Sequence, residues 1–490
     1  MKRWLPGMLA LLLMVCLPCG CNTGKPSSGS STVSAAPGQS GSSGSTTSGS
    51  AAAERPGPDA QNIPSQEFLE SLRGTKMTWT YGYAIEERGA SVGADAKYDA
   101  IDRVMEKYGV EINMKGSGSN YSTVMVSTVL AGKAMGDVMS VGDLAFAGWY
   151  KAGVLKDLTA AAQKAGVDFK SPVYSQMHTK HFNINGQQVG FNFGGTFGAS
   201  IYYNKRLLQE KGLEMPHDLL AKGEWTFAKM SEYAQLLTER RSDGTVTTWG
   251  FGSWAEYSLL QQAVIANGGR VVSVAEDGSL QVDLSSAQAQ EALQWMYDLC
   301  AVSKTANATA EGSWEKKMHD FVNGKYALFL GTGNTLSFTY SDGMKDEFGM
   351  ITFPVGPSNT TGETDCVTGI EAFFMPPTVS DDDAAKYLFL MEAVQRELNA
   401  AQTPEDEFYN VVGYKIADQQ SYDQMYQRYY SDKILEISNM SGTLWSDPGV
   451  STIAYEIISG ISTPGAAISK YETSMKSVLM DLWSGMRITG

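Results

Sequence analysis

The residues that could perform chemistry are few, and they form no catalytic or metal-binding pattern. The 490-residue chain has four histidines, of which His178 and His181 form an H-x-x-H pair. No cysteine cluster or third ligand with metal spacing lies near this pair, so the sequence predicts no metal site. The nucleophile motif G-x-S-x-G, the phosphate-binding loop and the dinucleotide-binding fingerprint do not occur either. We therefore expect no catalytic residue and no cofactor.

Carboxylates leave one enzymatic alternative open. A secreted glycoside hydrolase needs two carboxyl groups about 5 to 10 Å apart across a cleft. The chain contains 53 Asp and Glu residues, and nothing in the sequence singles out such a pair. The run Asp381 to Asp383 is predicted to begin a helix, where carboxylates complement the helix dipole.

Aromatic residues are the more informative group. Trp79, Tyr81 and Tyr83 occupy every second position of one segment, as residues on one face of a strand do. Most aromatic side chains in a chain of this size belong to the core, and we expect Trp79 to pack there. Tyr81 begins the loop that is predicted to follow this strand.

Strands and helices alternate around these residues. The pattern predicts strands at residues 77–83, 110–114 and 137–141, and helices across residues 98–108 and 121–129. This order indicates βαβ units with a parallel sheet, so the predicted fold class is α/β. Ligands bind at the carboxyl ends of such strands. In the loop after the second predicted strand, residues 116–120, glycine would let the backbone approach a ligand closely.

The N-terminal residues are expected to direct export. Residues 1–20 have two basic residues before a short apolar stretch, as a signal peptide does. LPCGC, which ends at Cys21, resembles the lipobox of bacterial lipoproteins, and this resemblance implies lipidation of Cys21. Ordinary secretion is the alternative. Residues 21–61 are rich in Ser and Gly, and we expect a disordered tether with a span of roughly 35 Å.

Length and charge restrict what the remainder can be. The chain exceeds the roughly 250–300 residues that one core usually serves, which indicates two lobes. A formal net charge of −15 argues against nucleic-acid binding, and any contact with a membrane is expected through the lipid anchor only. Three of the five cysteines precede residue 22, which excludes a disulfide framework and leaves the pairing of Cys300 and Cys366 open.

Several segments together resemble the extracellular solute-binding proteins of family 1, the carbohydrate-binding components of ABC importers. They are Asp137–Asp143 with Trp149, the YYNK element in Ile201–Leu207, Glu224–Phe227, and Phe321–Phe329, which in the family carries the chain back into the first lobe. Each match is weak alone, but their shared order over most of the chain makes the resemblance specific.

The resemblance implies a two-lobed periplasmic-binding-protein-like fold with discontinuous lobes and a central ligand cleft. Lobe I would comprise residues 62–175 plus 329–374, and lobe II residues 176–328 plus 375–490. For the tail, from residue 397 onward, the sequence predicts only generic helices. The ligand-binding residues implied by the family are Tyr81, Asp143, Phe193, Trp254, Asn334, Glu371 and Trp445.

The same resemblance implies a function. A sugar presents hydroxyls at its edges and C–H groups on its faces, so its binder needs aromatic platforms and a few placed polar groups. We expect a monomeric lipoprotein on the outer face of the cytoplasmic membrane, which captures a mono- or oligosaccharide and delivers it to ABC permease subunits. Besides the hydrolase, an adhesin or sensor component is an alternative, because it would share the fold.

Overall fold

The structure is a computed structural model that describes residues 64–117, 121–142, 145–196, 198–308, 313–367, 371–431, 433–444 and 449–490. The predicted signal peptide, tether and lipidation site at Cys21 lie outside these ranges, as do Asp143 and Trp445. Within the ranges, no helix combines the length and the apolarity that a membrane span requires.

The first sheet has four strands and carries the elements that the sequence pattern predicted. Its order is β15-β3-β1-β2, and β1 is parallel to both β2 and β3, whereas β15 is antiparallel to β3. The bounds are β1 Lys76–Tyr81, β2 Glu111–Gly116, β3 Val138–Gly142 and β15 Glu371–Phe374. The prediction of an α/β fold built on a parallel sheet is confirmed here.

Several helices belong with this sheet. The second of them, α2, begins after Ser91, whose side chain accepts a hydrogen bond from the Ala94 amide, and it ends at Gly109 with φ at 65°. The run Asp381–Asp383 does begin a helix, as predicted. The helices are α1 Gln66–Ser71, α2 Val92–Tyr108, α3 Tyr121–Leu130, α4 Phe146–Lys151, α5 Thr159–Ala165 and α14 Asp381–Ala401.

The second sheet has the order β11-β8-β12-β6-β13, and a short strand β7 pairs with β8. Strand β8 runs parallel to β11 and β12, whereas β6 is antiparallel to β12 and β13. The bounds are β6 Ser200–Asn204, β7 Glu239–Arg240, β8 Val246–Ser253, β11 Ala306–Asn307, β12 Tyr326–Gly331 and β13 Phe348–Ile351.

Short elements and the remaining helices connect and flank the two sheets. Along the chain, the elements between α5 and β6 include α6 Gln176–Thr179, β4 Asn183–Ile184 and β5 Gln187–Gln188. Around the second sheet lie α7 Lys205–Glu210, α8 Pro216–Ala221, α9 Phe227–Leu237, α10 Glu256–Ala266, α11 Ala287–Tyr297, α12 Trp314–Val322 and α13 Gly333–Ser341, with the hairpin β9 Val272–Val274 and β10 Leu280–Val282. The tail contributes α15 Pro404–Val411, α16 Gln419–Tyr430, α17 Val450–Ile458 and α18 Pro464–Leu482, and a ladder joins β14 Cys366–Val367 to β16 Ile434–Leu435.

The strand pairing corrects the predicted lobe segments. Residues 329–374 were assigned to the first lobe, but β12 and β13 pair with β6 in the second sheet, and only β15 at the end of this range joins the first. Helix α14, assigned to the second lobe, packs against α2 and α5 beside the first sheet. The reason is physical, because the buried strand β12 completes its hydrogen bonds between β8 and β6 and cannot reach the other sheet.

Candidate functional site

A cavity of about 650 Å³ lies at the carboxyl ends of β1 and β3, where a parallel sheet is expected to bind its ligand. One wall comes from the first sheet, from α2 and from the segment around residue 193. The opposite wall comes from α15, the turn that follows it, and α16. The cavity volume falls within the roughly 300–1,000 Å³ span of pockets that hold small molecules.

Aromatic side chains line the first wall. The alternation of strand β1 places Trp79 and Tyr81 on one face, and Tyr83 continues this row beyond the strand. Trp79 and Tyr81 stack with ring centroids 5.6 Å apart, and Tyr81 and Tyr83 meet edge to face at 5.3 Å. Phe373 of β15 lies 5.5 Å from Trp79 and 5.6 Å from Phe193. The five rings therefore hold one another in fixed orientations.

Lys97 of α2 brings a positive charge to this aromatic wall. Its ammonium group donates a hydrogen bond to the hydroxyl of Tyr81 and lies 4.4 Å from the ring centroid of Tyr81 and 4.8 Å from that of Trp79. Burial lowers the pKa of Lys97 to about 8, and the negative charge of Glu371 opposes part of this shift. The ammonium has three donors, so a ligand can accept a hydrogen bond from it.

Glu371, at the start of β15, brings the complementary acceptor. Its carboxylate accepts a hydrogen bond from the Tyr83 hydroxyl at 2.8 Å. Desolvation raises the pKa of Glu371 above its ordinary value, while the Tyr83 hydrogen bond and the charge of Lys97 act in the opposite direction. Asn192, which also lines the cavity, donates a side-chain hydrogen bond to the Glu371 carbonyl and so ties the neighbouring segment to this strand.

The opposite wall was not predicted. Among its residues are Glu407, whose carboxylate accepts a hydrogen bond from the Tyr430 hydroxyl at 2.9 Å, and Tyr429. A Cβ at Gly195 would lie 2.4 Å from the Tyr429 carbonyl oxygen, so glycine is required where the two walls meet. The wall also contains Asn410, Val411, Tyr414 and Lys415. The generic helical pattern of the tail does not predict where the tail helices lie. The abundance of tyrosine in the tail is the one feature of the sequence that suggests a binding surface.

Of the residues that the resemblance implied, three come together in this cavity. Tyr81, Phe193 and Glu371 line it, and Trp79, predicted to pack in the core, is buried there and also borders the cavity. Trp254 and Asn334 do not line it. The Trp254 indole donates a hydrogen bond to Ser258 at 3.0 Å, and Asn334 lies exposed at the start of α13. Both follow strands of the second sheet. Asp143 and Trp445 fall outside the described residues.

Gly116, the first residue of the predicted glycine loop after β2, lies against another segment of the chain. A Cβ at Gly116 would lie 2.4 Å from the carbonyl oxygen of Tyr83. Glycine at this position therefore permits a close approach to the segment that carries Tyr83. Gly116 thus helps to position an aromatic residue of the cavity.

Of the two histidines of the H-x-x-H pair, His178 is buried and His181 is half-buried, and both use their Nδ1 atoms within the chain. His178 Nδ1 lies 2.9 Å from the Ser175 hydroxyl, and His181 Nδ1 lies 2.7 Å from the Met177 carbonyl. Among the described residues, no three His, Cys, Asp or Glu side chains are grouped to hold a metal ion. Cys300 and Cys366 are both buried and free, so they do not form a disulfide.

A family model describing bacterial extracellular solute-binding proteins matches residues 99–406 of the chain. Among curated proteins, none matches it in sequence.

Solved structures give the fold. An ABC substrate-binding protein from Listeria monocytogenes, in complex with cycloalternan, is 17% identical with a TM-score of 0.58, covering 83% of this chain and 99% of its own. The cyclic alpha-maltosyl-1,6-maltose binding protein from Arthrobacter globiformis is 15% identical with a TM-score of 0.58, covering 83% and 100%. UgpB from Mycobacterium tuberculosis, in complex with glycerophosphocholine, is 17% identical with a TM-score of 0.58, covering 84% and 99%. The predicted two-lobed periplasmic-binding-protein-like fold is confirmed.

Proposed function

Because the chain belongs to the bacterial extracellular solute-binding proteins, we propose that it captures a carbohydrate in the cavity and delivers it to the permease of an ABC importer. The observation that carries this proposal is the combination of five aromatic rings with Lys97 and Glu371 around one cavity. Two similar structures support the same class of solute: one protein is in complex with cycloalternan, and the other is a cyclic alpha-maltosyl-1,6-maltose binding protein.

The chemistry of the cavity suits a sugar in two respects. The C–H faces of a sugar ring are apolar and pack on aromatic rings, and Tyr83, which is 37% exposed, offers the most accessible ring of the first wall. Sugar hydroxyls both donate and accept hydrogen bonds. Lys97 supplies hydrogen-bond donors and Glu371 supplies acceptors. The hydroxyl groups of a sugar near the first wall can therefore both accept and donate hydrogen bonds.

A ligand that touches both walls would stabilise the arrangement in which the walls are close. Only a difference in affinity between the open and closed forms can shift that equilibrium. In this proposal the closed form docks on the permease and releases the ligand unchanged. The chain would act as a monomer on the outer face of the cytoplasmic membrane, attached by a lipid on Cys21.

Thermal unfolding in the presence of mono- and oligosaccharides, followed by calorimetric titration, tests the binding function. A sugar at a hundred times its dissociation constant should stabilise the chain by about 2.7 kcal/mol. Glu371→Gln should weaken the effect, whereas Glu276→Gln, at an exposed turn, should not. Absence of stabilisation by every sugar would contradict the proposal, and accumulation of a hydrolysis product would favour the glycoside hydrolase instead.

A further inference from the structure

Three exposed tyrosines lie beside the cavity, and the central one, Tyr414, contacts both Tyr340 and Tyr409. The exposed fractions are 59% for Tyr340, 52% for Tyr409 and 37% for Tyr414. Tyr340 belongs to α13, Tyr409 to α15, and Tyr414 to the turn Gly413–Lys415 that follows α15. We call this group the outer tyrosine cluster. Since Tyr414 also lines the cavity, the cluster and the cavity are continuous.

The cluster is held in a fixed geometry. The Tyr414 ring centroid lies 5.5 Å from that of Tyr340, at an interplanar angle of 84°, and 6.4 Å from that of Tyr409, at 65°. The ammonium of Lys415 lies 5.3 Å from the Tyr414 ring centroid and donates a hydrogen bond to Ser337 of α13 at 3.0 Å. The turn is therefore fastened to α13, and the rings pay little conformational entropy when a ligand binds.

A single exposed tyrosine needs no explanation, but a contacting group at the edge of a cavity does. Tyrosine provides a large flat contact area with only two side-chain torsions and a hydroxyl that forms hydrogen bonds. Within the described part of the chain, the hydroxyls of these three residues have no hydrogen-bond partner. The cluster thus combines ring faces and unused hydroxyls, the two features that a sugar unit requires.

Resting on the proposed function, we propose that the outer tyrosine cluster binds the outer units of an oligosaccharide whose inner unit occupies the cavity. The solute is then an oligosaccharide and not a monosaccharide. Continuity through Tyr414 and Val411 allows one chain of sugar units to pass from the cavity to the cluster. Inner units contact Glu371 and Lys97, while outer units contact Tyr340 and Tyr409.

Calorimetric titration of the full chain with sugars of increasing length tests this proposal. The probes are the one- to four-unit members of the α-1,4-glucan, β-1,4-glucan and β-1,4-mannan series. The test variant combines Tyr340→Ala and Tyr409→Ala, which leaves Tyr414 in the cavity wall. The matched control is Tyr455→Ala, because Tyr455 of α17 is 46% exposed and lies outside the cavity lining. Equal melting temperatures of the free proteins establish that both variants fold.

In the series that binds, the wild-type chain should prefer the longer sugars to the monosaccharide by more than about tenfold. The double variant should lose about tenfold in affinity for the longer sugars and should keep the wild-type affinity for the monosaccharide. Tyr455→Ala should change neither.

Two results overturn the proposal in different ways. Equal wild-type affinity for all lengths, or unchanged oligosaccharide affinity in the double variant, removes the outer subsite but leaves sugar binding in the cavity intact. If no sugar of any length binds the wild-type chain, the proposed function fails, and the inference fails with it.

Discussion

At the residue scale, the cavity holds a lysine, Lys97, and a glutamate, Glu371, and among the described residues no salt bridge joins either side chain to an opposite charge. Lys97 was not predicted, because a lysine at one helix position looks like any solvated surface lysine. Its position is apparent only once α2 packs across the row of Trp79 and Tyr81. Tyr81 and Glu371, by contrast, follow from the family resemblance.

We expect Lys97→Met to reduce sugar affinity by about tenfold or more, since a hydrogen bond to a charged group contributes about 1.5–3 kcal/mol. Because the charged ammonium is the stronger donor, wild-type affinity should fall as the pH rises through the Lys97 pKa of about 8. Titrations at pH 7 and pH 9 check this. Lys345→Met, at an exposed site, should retain the wild-type pH dependence, and a Lys97→Met variant that also retained it would contradict this role.

His178 should make the fold sensitive to acid. Burial, the neighbouring His181 and the charge of Lys433 lower the pKa of His178 from about 6.5 to about 3. Between these values the unfolded chain binds a proton that the folded chain does not, so the free energy of unfolding falls as the pH falls through this window. The contribution is about 1.4 kcal/mol for each pH unit.

Urea unfolding at pH 7 and pH 4.5 should therefore show a smaller loss of stability for His178→Gln than for the wild-type chain. His319→Gln is the control, since the His319 side chain is 47% exposed and pairs with Asp342 at the surface. An equal pH effect in His178→Gln and the wild-type chain would exclude His178 as the source.

At the element scale, apolar residues that recur at every second position or at spacings of three and four predicted β1, α2, β2, α3 and β3 in the first third of the chain. The tail from residue 404 onward could not be positioned in the same way. Its helices have ordinary amphipathic patterns, and periodicity does not specify which neighbour such a helix packs against. As a result, α15 and α16, which form one wall of the cavity, were missed.

The cap of α15 gives a test of this wall. The Thr403 side chain accepts a hydrogen bond from the Asp406 amide at 3.1 Å, and the Asp406 carboxylate accepts one from the Thr403 amide at 2.9 Å. Thr403→Ala should cost about 1 kcal/mol of stability. It should also lower sugar affinity several-fold, because α15 carries Glu407, Asn410 and Val411 into the cavity.

The matched control for this cap is Ser286→Ala. Ser286 caps α11 by accepting a hydrogen bond from the Ala289 amide at 3.4 Å, and α11 contributes no residue to the cavity lining. A comparable loss of stability without loss of affinity is expected from urea unfolding and titration. If both variants changed affinity equally, the effect would reflect stability alone and not the position of α15.

At the scale of the whole molecule, the two-sheet architecture followed from length and from family resemblance, but the allocation of segments did not. The resemblance suggested that the chain returns to the first lobe at residue 329, whereas it returns at β15. Hydrophobic runs such as residues 326–331 indicate a buried strand without specifying its sheet. Pairing with β6 and β8 places this strand in the second sheet. The sequence pattern does not reveal this pairing, because both partner strands are distant along the chain.

One buried hydrophobic cluster contains residues of both sheets, with Val141 and Phe374 from the first and Leu328 from the second, and this limits how the sheets can move. Phe182 of the connecting segment lies 5.1 Å from Phe146 of α4 and 5.3 Å from Phe374 of β15, measured between ring centroids. Phe146 also lies 6.2 Å from Trp483, which follows α18. Because this cluster spans both sheets, we expect closure to be a small rotation about the packed region and not a separation of independent bodies.

Ligand-dependent closure predicts a change in distance between the two sheets' outer helices. Spin labels at Glu106→Cys on α2 and Gln209→Cys on α7 would report it, since both positions are exposed. Native Cys300 and Cys366 should not react, because burial raises the pKa of both thiols, that of Cys300 to about 12.

A saturating sugar should shift the distance distribution to a new single maximum. Glu371→Gln should need more sugar to reach it, because it removes a contact with the ligand. A distribution that did not change at saturation would show that binding occurs without closure, and delivery would then have to depend on a signal other than shape.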